Sequence, residues 1–242
     1  MLKPDILADL KRYAKIFKEA AERNLNEADT VMRLTRFFEE VLGYDPFSEI
    51  TREQAIKGTF VDIALKVDDD IRILIEAKAA GVQLRESHTQ QAQNYAANHG
   101  IPWVLLSNGC RYILYRVELN GAIEAIEVFD VDVVDGPLDV AAERLGLLHR
   151  KAMKKGAELE KYYHLQRTLS ADMIFKALAS ESVITALCRE LRALTGTRVQ
   201  DEEVFESLKG MFKDSTLLAN LKIRRRPKPV GGVQEPTAPE GQ

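Results

Sequence analysis

The 242-residue sequence has only two cysteines, Cys110 and Cys188, and lacks any long hydrophobic run. Two such distant cysteines do not build a disulfide scaffold or a cysteine-ligated zinc site, so both are expected to be reduced thiols. No apolar run approaches the roughly 18 residues of a membrane span, and no apolar segment follows Met1. These absences predict a cytoplasmic protein without membrane contact.

Two further absences narrow the chemistry. The four histidines show no zinc spacing, and no G-x-x-x-x-G-K-[ST] loop occurs. Neither a zinc site nor an ATP site is therefore expected in this chain.

Neither positive nor negative charge is in large excess, since the net charge is only −3. Residues 1–150 contain 18 Lys+Arg against 25 Asp+Glu, a net charge of −7, whereas residues 151–242 carry +4. Much of that basic excess lies in residues 222–228, which either neutralise phosphates or are simply solvated. An acidic first part excludes a protein that holds nucleic acid by bulk charge, but not one that approaches it through a metal ion.

The periodicity of apolar residues predicts an α/β fold, a mixed sheet flanked by helices and followed by an α-helical C-terminal part. Helices are expected near the start of the chain, from Asn26 as N-cap to Leu42, and over 84–98; the later ones cover 138–168, 171–179, 181–195 and 201–212. Strands are expected at 60–67, 71–78, 102–106, 111–118 and 123–131. The predicted divisions are 1–137 for the α/β domain, 138–221 for the helical region and 222–242 for a basic, then Pro/Gly-rich disordered tail.

The hairpin of strands 60–67 and 71–78 gives the sharpest prediction. If Asp68 to Asp70 form a three-residue turn, Asp62 lies directly opposite Glu76, and Lys78 lies on the same face. A two-residue turn would pair each apolar face with a polar one, so the three-residue turn is expected.

Directly opposed residues have Cβ atoms about 5 Å apart, and two carboxylates at that distance repel unless a cation lies between them or one is protonated. The carboxylates of Asp62 and Glu76, with the carbonyl of Ala77, predict a Mg²⁺ site that can also take Mn²⁺. Lys78 would orient a water molecule or neutralise charge that develops on a phosphate.

A plainer interpretation is a solvated sheet face with Asp62 paired to some basic residue. Three observations count against it. Residues 104–106 indicate an interior sheet covered on both faces, and the charged residues all fall on one face of the hairpin. The residues beside them on that face are apolar, namely Phe60, Ala64 and Leu74.

Two helices offer further site residues. Glu27 falls on the apolar stripe of the second helix, where it is either a site residue or a partner of the helix dipole. Gln91 and Tyr95, four residues apart on the crossover helix, either contact a substrate phosphate or pack against the sheet.

Asp62, then Glu76-Ala77-Lys78 on the next strand, then Gln91-x-x-x-Tyr95 on the crossover helix together resemble the PD-(D/E)xK nuclease superfamily. Over roughly residues 20–135 the order and spacing resemble most closely the N-terminal nuclease domain of type I restriction enzyme R subunits. The departures are Val61 where the superfamily often has proline, and the lack of an ATP-binding loop that a translocase needs.

The resemblance implies a restriction-endonuclease-like sheet and a role for each matching residue. Asp62 and Glu76 would bind the metal together with Ala77, and Lys78 would assist the attacking water. Gln91 and Tyr95 would support the site or contact the DNA backbone. Glu27 would lie among the acidic residues of the site. The expected activity is that of a magnesium-dependent endodeoxyribonuclease, related to restriction or defence.

Two alternatives stay open at the level of sequence. One is a nuclease-like fold that serves as a catalytically silent or partner-dependent DNA-binding or assembly subunit. The other is a structural protein whose hairpin matches the motif by chance. DNA is the expected partner, and the resemblance adds a separate recognition subunit. The apolar stripes on the C-terminal helices predict either a small helical bundle or a self-association surface.

Overall fold

The computed structural model describes residues 6–56 and 59–211, without the side chains of residues 53–60 and Asn120. The chain divides into two compact units, one up to Gln166 and one from Arg167 onward. This division falls further along the chain than the boundary predicted at residue 137, since helices after that residue pack on the sheet. The predicted tail, residues 222–242, lies outside the described residues.

The first unit is built on a six-stranded sheet in which the strands are ordered as they occur along the chain. The strands are β1 (Ile50–Ile56), β2 (Thr59–Val67), β3 (Asp70–Ala77), β4 (Trp103–Ser107), β5 (Arg111–Asn120) and β6 (Ala122–Asp132). β3 and β4 pair in parallel, and the other neighbouring strands are antiparallel. The mixed sheet and its crossover were predicted correctly, whereas β1 was not predicted.

Helices cover both faces of this sheet. They are α1 (Leu7–Glu22), α2 (Glu27–Glu40), α3 (Gln90–His99), α4 (Leu138–Leu145), α5 (Arg150–Lys155) and α6 (Ala157–Thr168), with short 3-10 helices at Glu86–Thr89 and Gly146–Leu148. Asn26 caps α2 as predicted, because its side chain accepts a 2.9 Å hydrogen bond from the N–H of Asp29.

The larger core lies between the sheet and α1, α2 and α4. It contains a group of aromatic rings, among them Phe17, Phe37 and Tyr112, whose centroids are 5.3–6.4 Å apart. A smaller core on the opposite face packs α3 against the middle strands, with Leu74 and Val104 fully buried. A sheet buried on both faces confirms the predicted α/β architecture.

The β2–β3 hairpin corrects one prediction. Its turn has two residues, Asp68 and Asp69, both with positive φ (52° and 67°), and Val67 pairs with Asp70. This is the left-handed conformation that two-residue hairpin turns need. The prediction of a three-residue turn was therefore wrong.

A β-bulge then restores the predicted register. Lys66 pairs with Ile71, but Leu65 pairs with Ile73, so Arg72 is the extra residue on β3. Beyond the bulge Ile63 pairs with Ile75, the register expected from the alternation of apolar residues. The apolar faces consequently coincide although the turn is one residue shorter.

The second unit is helical, as predicted. Its helices are α7 (Ala171–Leu178), α8 (Glu181–Thr195) and α9 (Asp201–Met211), and they share a small core that contains Phe175, Ile184 and Phe205. Self-association through these helices stays a prediction.

Two findings concern the described residues as a whole. Cys110 and Cys188 are both free thiols. None of the described helices is long and apolar enough to cross a membrane.

Candidate active site

Four charged side chains from three elements meet where β3 ends. Glu76 lies near the end of β3 and Lys78 follows directly after it, while Asp62 lies on the neighbouring strand β2. Glu27 is the first residue of α2. The chain beyond β3 is held to the sheet, because the N–H of Lys78 donates a 2.9 Å hydrogen bond to the carbonyl of Ser107 on β4.

Asp62 is oriented by the backbone of the neighbouring strand. Its Oδ2 accepts a 2.7 Å hydrogen bond from the N–H of Ala77, and the residue is half-buried. The carboxylate therefore points toward the segment that carries Glu76 and Lys78. The sheet register, and not side-chain flexibility, determines this arrangement.

Lys78 connects the remaining members of the cluster. Its Nζ donates to Oε1 of Glu76 at 2.6 Å and to the carbonyl oxygen of Ala77 at 2.9 Å, and it lies 3.5 Å from Oε2 of Glu27. The side chains of Lys78 and Glu76 are only 20% and 16% exposed, against 49% for Glu27. The ammonium group is thus surrounded by three oxygen atoms in a largely enclosed position.

Burial sets the electrostatics of this cluster. It raises the pKa of Glu76, and the negative charges of Asp62 and Glu27 add to this, while the hydrogen bond from Lys78 opposes it. Burial alone would lower the pKa of Lys78, but the hydrogen bond to Glu76 and the three surrounding carboxylates outweigh it and raise that pKa. Lys78 is therefore a cation at neutral pH.

An open groove leads to the cluster. Its volume is about 980 Å³, and Glu27 and Asp62 line it together with residues from α2, from the following loop and from the start of β1. Among these are Phe47, Met32 and Arg52, none of which was identified from the sequence. Asp45-Pro46 is a turn signal that would have placed Phe47 on a loop, but not beside the site.

The two predicted residues of α3 take different positions. Tyr95 is buried in the smaller core, and its ring stacks on that of His99 with centroids 4.0 Å apart. Gln91 is exposed on the helix surface, whereas Gln93 is buried and donates to Oγ1 of Thr89 at 2.6 Å. Hydrogen bonds between described side chains do not join Gln91 or Tyr95 to the charged cluster.

The oxygen-rich donor set has the chemistry that a hard cation requires. Within residues 6–56 and 59–211, no group of three or more histidine, cysteine, aspartate or glutamate side chains is arranged to hold a metal ion. The carboxylates of Asp62 and Glu76 and the carbonyl of Ala77 are oxygen donors, which suit Mg²⁺ because that ion keeps several waters and needs few protein ligands.

One comparison with known proteins matches the region that contains most of this site. The family model of the type I restriction enzyme R protein N terminus matches residues 34–129. This stretch includes Asp62, Glu76 and Lys78 but begins after Glu27. No curated protein and no solved structure matches the chain significantly. The similarity that the motif predicted is confirmed, and the matched region contains most of the sheet and α3.

Proposed function

We propose that the chain is a metal-dependent endonuclease that hydrolyses phosphodiester bonds in DNA and acts in restriction. The observation that carries the proposal is the cluster of Asp62, Glu76 and Lys78 at the end of β3, in the region similar to the N terminus of a restriction enzyme subunit. The groove beside the cluster supports it, because a polymeric substrate needs an open path to the reacting group.

Asp62, Glu76 and the carbonyl of Ala77 would hold the metal ion, which is Mg²⁺ by the donor set, with Mn²⁺ as substitute. When bound, such an ion lowers the pKa of a coordinated water and neutralises charge on the phosphate. Asp62 and Glu76 belong to adjacent strands, so the sheet keeps both carboxylates in place without a change in the backbone.

Lys78 would act on the substrate. It is a cation, and it now donates to Glu76 and to the carbonyl of Ala77, two of the oxygens assigned to the metal. Its three N–H donors can instead bind the attacking water and a non-bridging phosphate oxygen. Glu27 holds the ammonium from the side of α2, at 3.5 Å, and would limit how far it can move.

Circular DNA provides the test of this function. Purified protein is incubated with a supercoiled plasmid and with a circular single strand, in Mg²⁺, in Mn²⁺ and in EDTA. The expected result is opening of circles in either metal and none in EDTA, because an endonuclease needs no free end.

Intact circles in both metals would contradict autonomous cleavage. A calorimetric titration with Mg²⁺ then separates the remaining alternatives, since a partner-dependent enzyme retains the metal site whereas a silent DNA-binding subunit does not require one.

A further inference from the structure

Phe47 is an apolar side chain held in solvent beside the proposed site. It is 96% exposed and lines the same groove as Asp62 and Glu27. Met32, also in the groove, is 50% exposed, and Pro46 adds a further apolar surface. Together the three side chains form an exposed apolar surface beside the candidate site, and a surface of this kind marks a contact with a ligand or a partner.

The loop that carries Phe47 is built to hold it there. Oδ1 of Asp45 accepts hydrogen bonds from the N–H groups of Phe47 (2.9 Å) and Ser48 (2.8 Å) and from the hydroxyl of Ser48 (3.1 Å). On one side Tyr44 is buried and donates through its hydroxyl to the carbonyl of Leu148 at 2.9 Å. On the other, Glu49 forms an ion pair with Arg150 at 2.7 Å.

These hydrogen bonds and this ion pair hold the loop backbone in place, and the backbone in turn determines the position of Phe47. A ring presented on a constrained turn loses little conformational freedom when it binds, so it suits recognition. A ring that packed against the protein surface would be buried, whereas the ring of Phe47 is exposed.

We propose that Phe47 stacks on an unstacked base of the DNA strand that occupies the groove, so that the substrate is single-stranded or locally opened DNA. The inference rests on the proposed function. Bases are flat and uncharged, and stacking on an aromatic side chain tolerates any base sequence. Arg52, exposed in the same groove, supplies a positive charge for the adjoining phosphate. The continuity of the groove from Phe47 to Asp62 places this contact on the path of the cleaved strand.

The ring and the carboxylates favour nucleic acid over a protein in this groove. Glu27 and Asp62 are brought to the same surface as Phe47, and a metal ion held by carboxylates attracts phosphate. A protein partner that covered Phe47 would also block the approach to Asp62, which the proposed function requires to be accessible.

The experiment measures binding separately from cleavage. Fluorescence anisotropy of a labelled 12-nucleotide single strand and of its duplex is recorded with the full chain in Ca²⁺, which accepts the same oxygen ligands in a less rigid geometry. Gel analysis verifies that the strands stay intact. Phe47→Ala, Phe47→Trp and the control Leu119→Ala are compared; Leu119 is 61% exposed on β5 and is not among the groove residues.

The expected result is a roughly 5- to 100-fold weaker affinity of Phe47→Ala for the single strand, with Phe47→Trp and Leu119→Ala close to wild type. Phe47→Trp adds a second readout, because the natural Trp103 is buried and the new indole is exposed. Its emission should be quenched when the single strand binds. If the affinity for the duplex falls in the same way in Phe47→Ala, Phe47 opens the duplex. If the affinity for the duplex is unaffected by this substitution, the groove prefers single strands.

Other outcomes overturn the inference in distinguishable ways. Unchanged affinity of Phe47→Ala with unquenched Phe47→Trp removes the role of Phe47 and leaves the nuclease proposal intact. Loss of a dimer in sedimentation of Phe47→Ala, without loss of DNA affinity, assigns the ring to a second copy of the chain. Stacking without any cleavage in Mg²⁺ or Mn²⁺ retains the role of Phe47 and contradicts autonomous cleavage. A wild-type chain that binds neither oligonucleotide contradicts both the stacking contact and autonomous cleavage.

Discussion

The N–H of Ala77 donates a 2.7 Å hydrogen bond to Oδ2 of Asp62, so the backbone of β3 orients a carboxylate that belongs to β2. Two sequence-distant parts of the site are thereby aligned by strand pairing. The same strand contributes Glu76, and Lys78 follows it, so a change in register would separate all of these residues.

Asp62→Asn should separate the structural role of this side chain from its proposed role as a metal ligand. Asparagine retains an oxygen that accepts the hydrogen bond from Ala77, so the Tm should stay within a few degrees of wild type. Asp62→Ala leaves that N–H without its partner and should cost about 1–3 kcal/mol. Calorimetry with Mg²⁺ or Mn²⁺ should show at least about tenfold weaker binding for Asp62→Asn.

Asp69→Asn is the matched control for that titration. Asp69 is exposed in the hairpin turn with φ 67°, a conformation that asparagine adopts readily. Unchanged metal affinity in Asp62→Asn would exclude Asp62 as a ligand.

His149 makes the first unit sensitive to mildly acidic pH. Its Nδ1 accepts a 3.1 Å hydrogen bond from the N–H of Lys151 and so caps α5, and burial together with the charge of Lys151 lowers its pKa. A depressed pKa means that the unfolded chain binds the proton more tightly. The stability that neutral His149 contributes is therefore present above about pH 6.5 and is lost as the pH falls through the folded-state pKa.

His149→Asn tests this assignment, because asparagine caps a helix without titrating. Urea unfolding at pH 7.5 and 5.0 should show a larger loss of stability in wild type than in the variant. A difference between the two proteins that stays constant over this range would contradict the role of His149.

Gly109 allows α1 to pack over the turn after β4. It has φ 86°, and a Cβ at this position would collide with the ring of Phe17. Gly109→Ala should therefore lower the free energy of unfolding by about 1–3 kcal/mol more than Gly100→Ala. Gly100 also has positive φ (67°) but open space around it, so it reports the backbone cost alone, about 1–2 kcal/mol. Equal losses in denaturant unfolding would show that Phe17 yields to the new methyl group.

The helices and strands whose apolar residues recur at regular spacing were predicted from the sequence. The differences between prediction and structure have physical causes. The alternation in β2 and β3 determined which residues share a face, and this set the register near Asp62 correctly. The turn was predicted wrongly because a bulge at Arg72 adds the residue that the two-residue turn lacks. β1 was missed because the segment Thr51-Arg52-Glu53-Gln54 is polar and shows no apolar alternation.

The part of the candidate site that depends on strand pairing was the most directly predictable from the sequence. Asp62, Glu76 and Lys78 were identified from the alternation of the strands and from the motif, and Glu27 from its place on the apolar stripe of α2. The structure brings these four residues together. The ion pair between Lys78 and Glu27 depends on where α2 begins relative to the end of β3, a tertiary relationship that periodicity does not contain. Phe47 was not identified because an apolar residue in a sequence is assigned to a core by default, and only the fold shows it exposed.

Nicking of a supercoiled plasmid by wild type and Lys78→Ala, in Mg²⁺ and in EDTA, tests the central claim most directly. If Lys78 stabilises charge on the phosphate as proposed, removal of its ammonium group should lower the rate at least about 100-fold, while the circular dichroism spectrum stays unchanged. Lys161→Ala, an exposed lysine on α6, is the control and should cut like wild type. Metal-dependent nicking that persists at the wild-type rate in Lys78→Ala would contradict the assignment of this site.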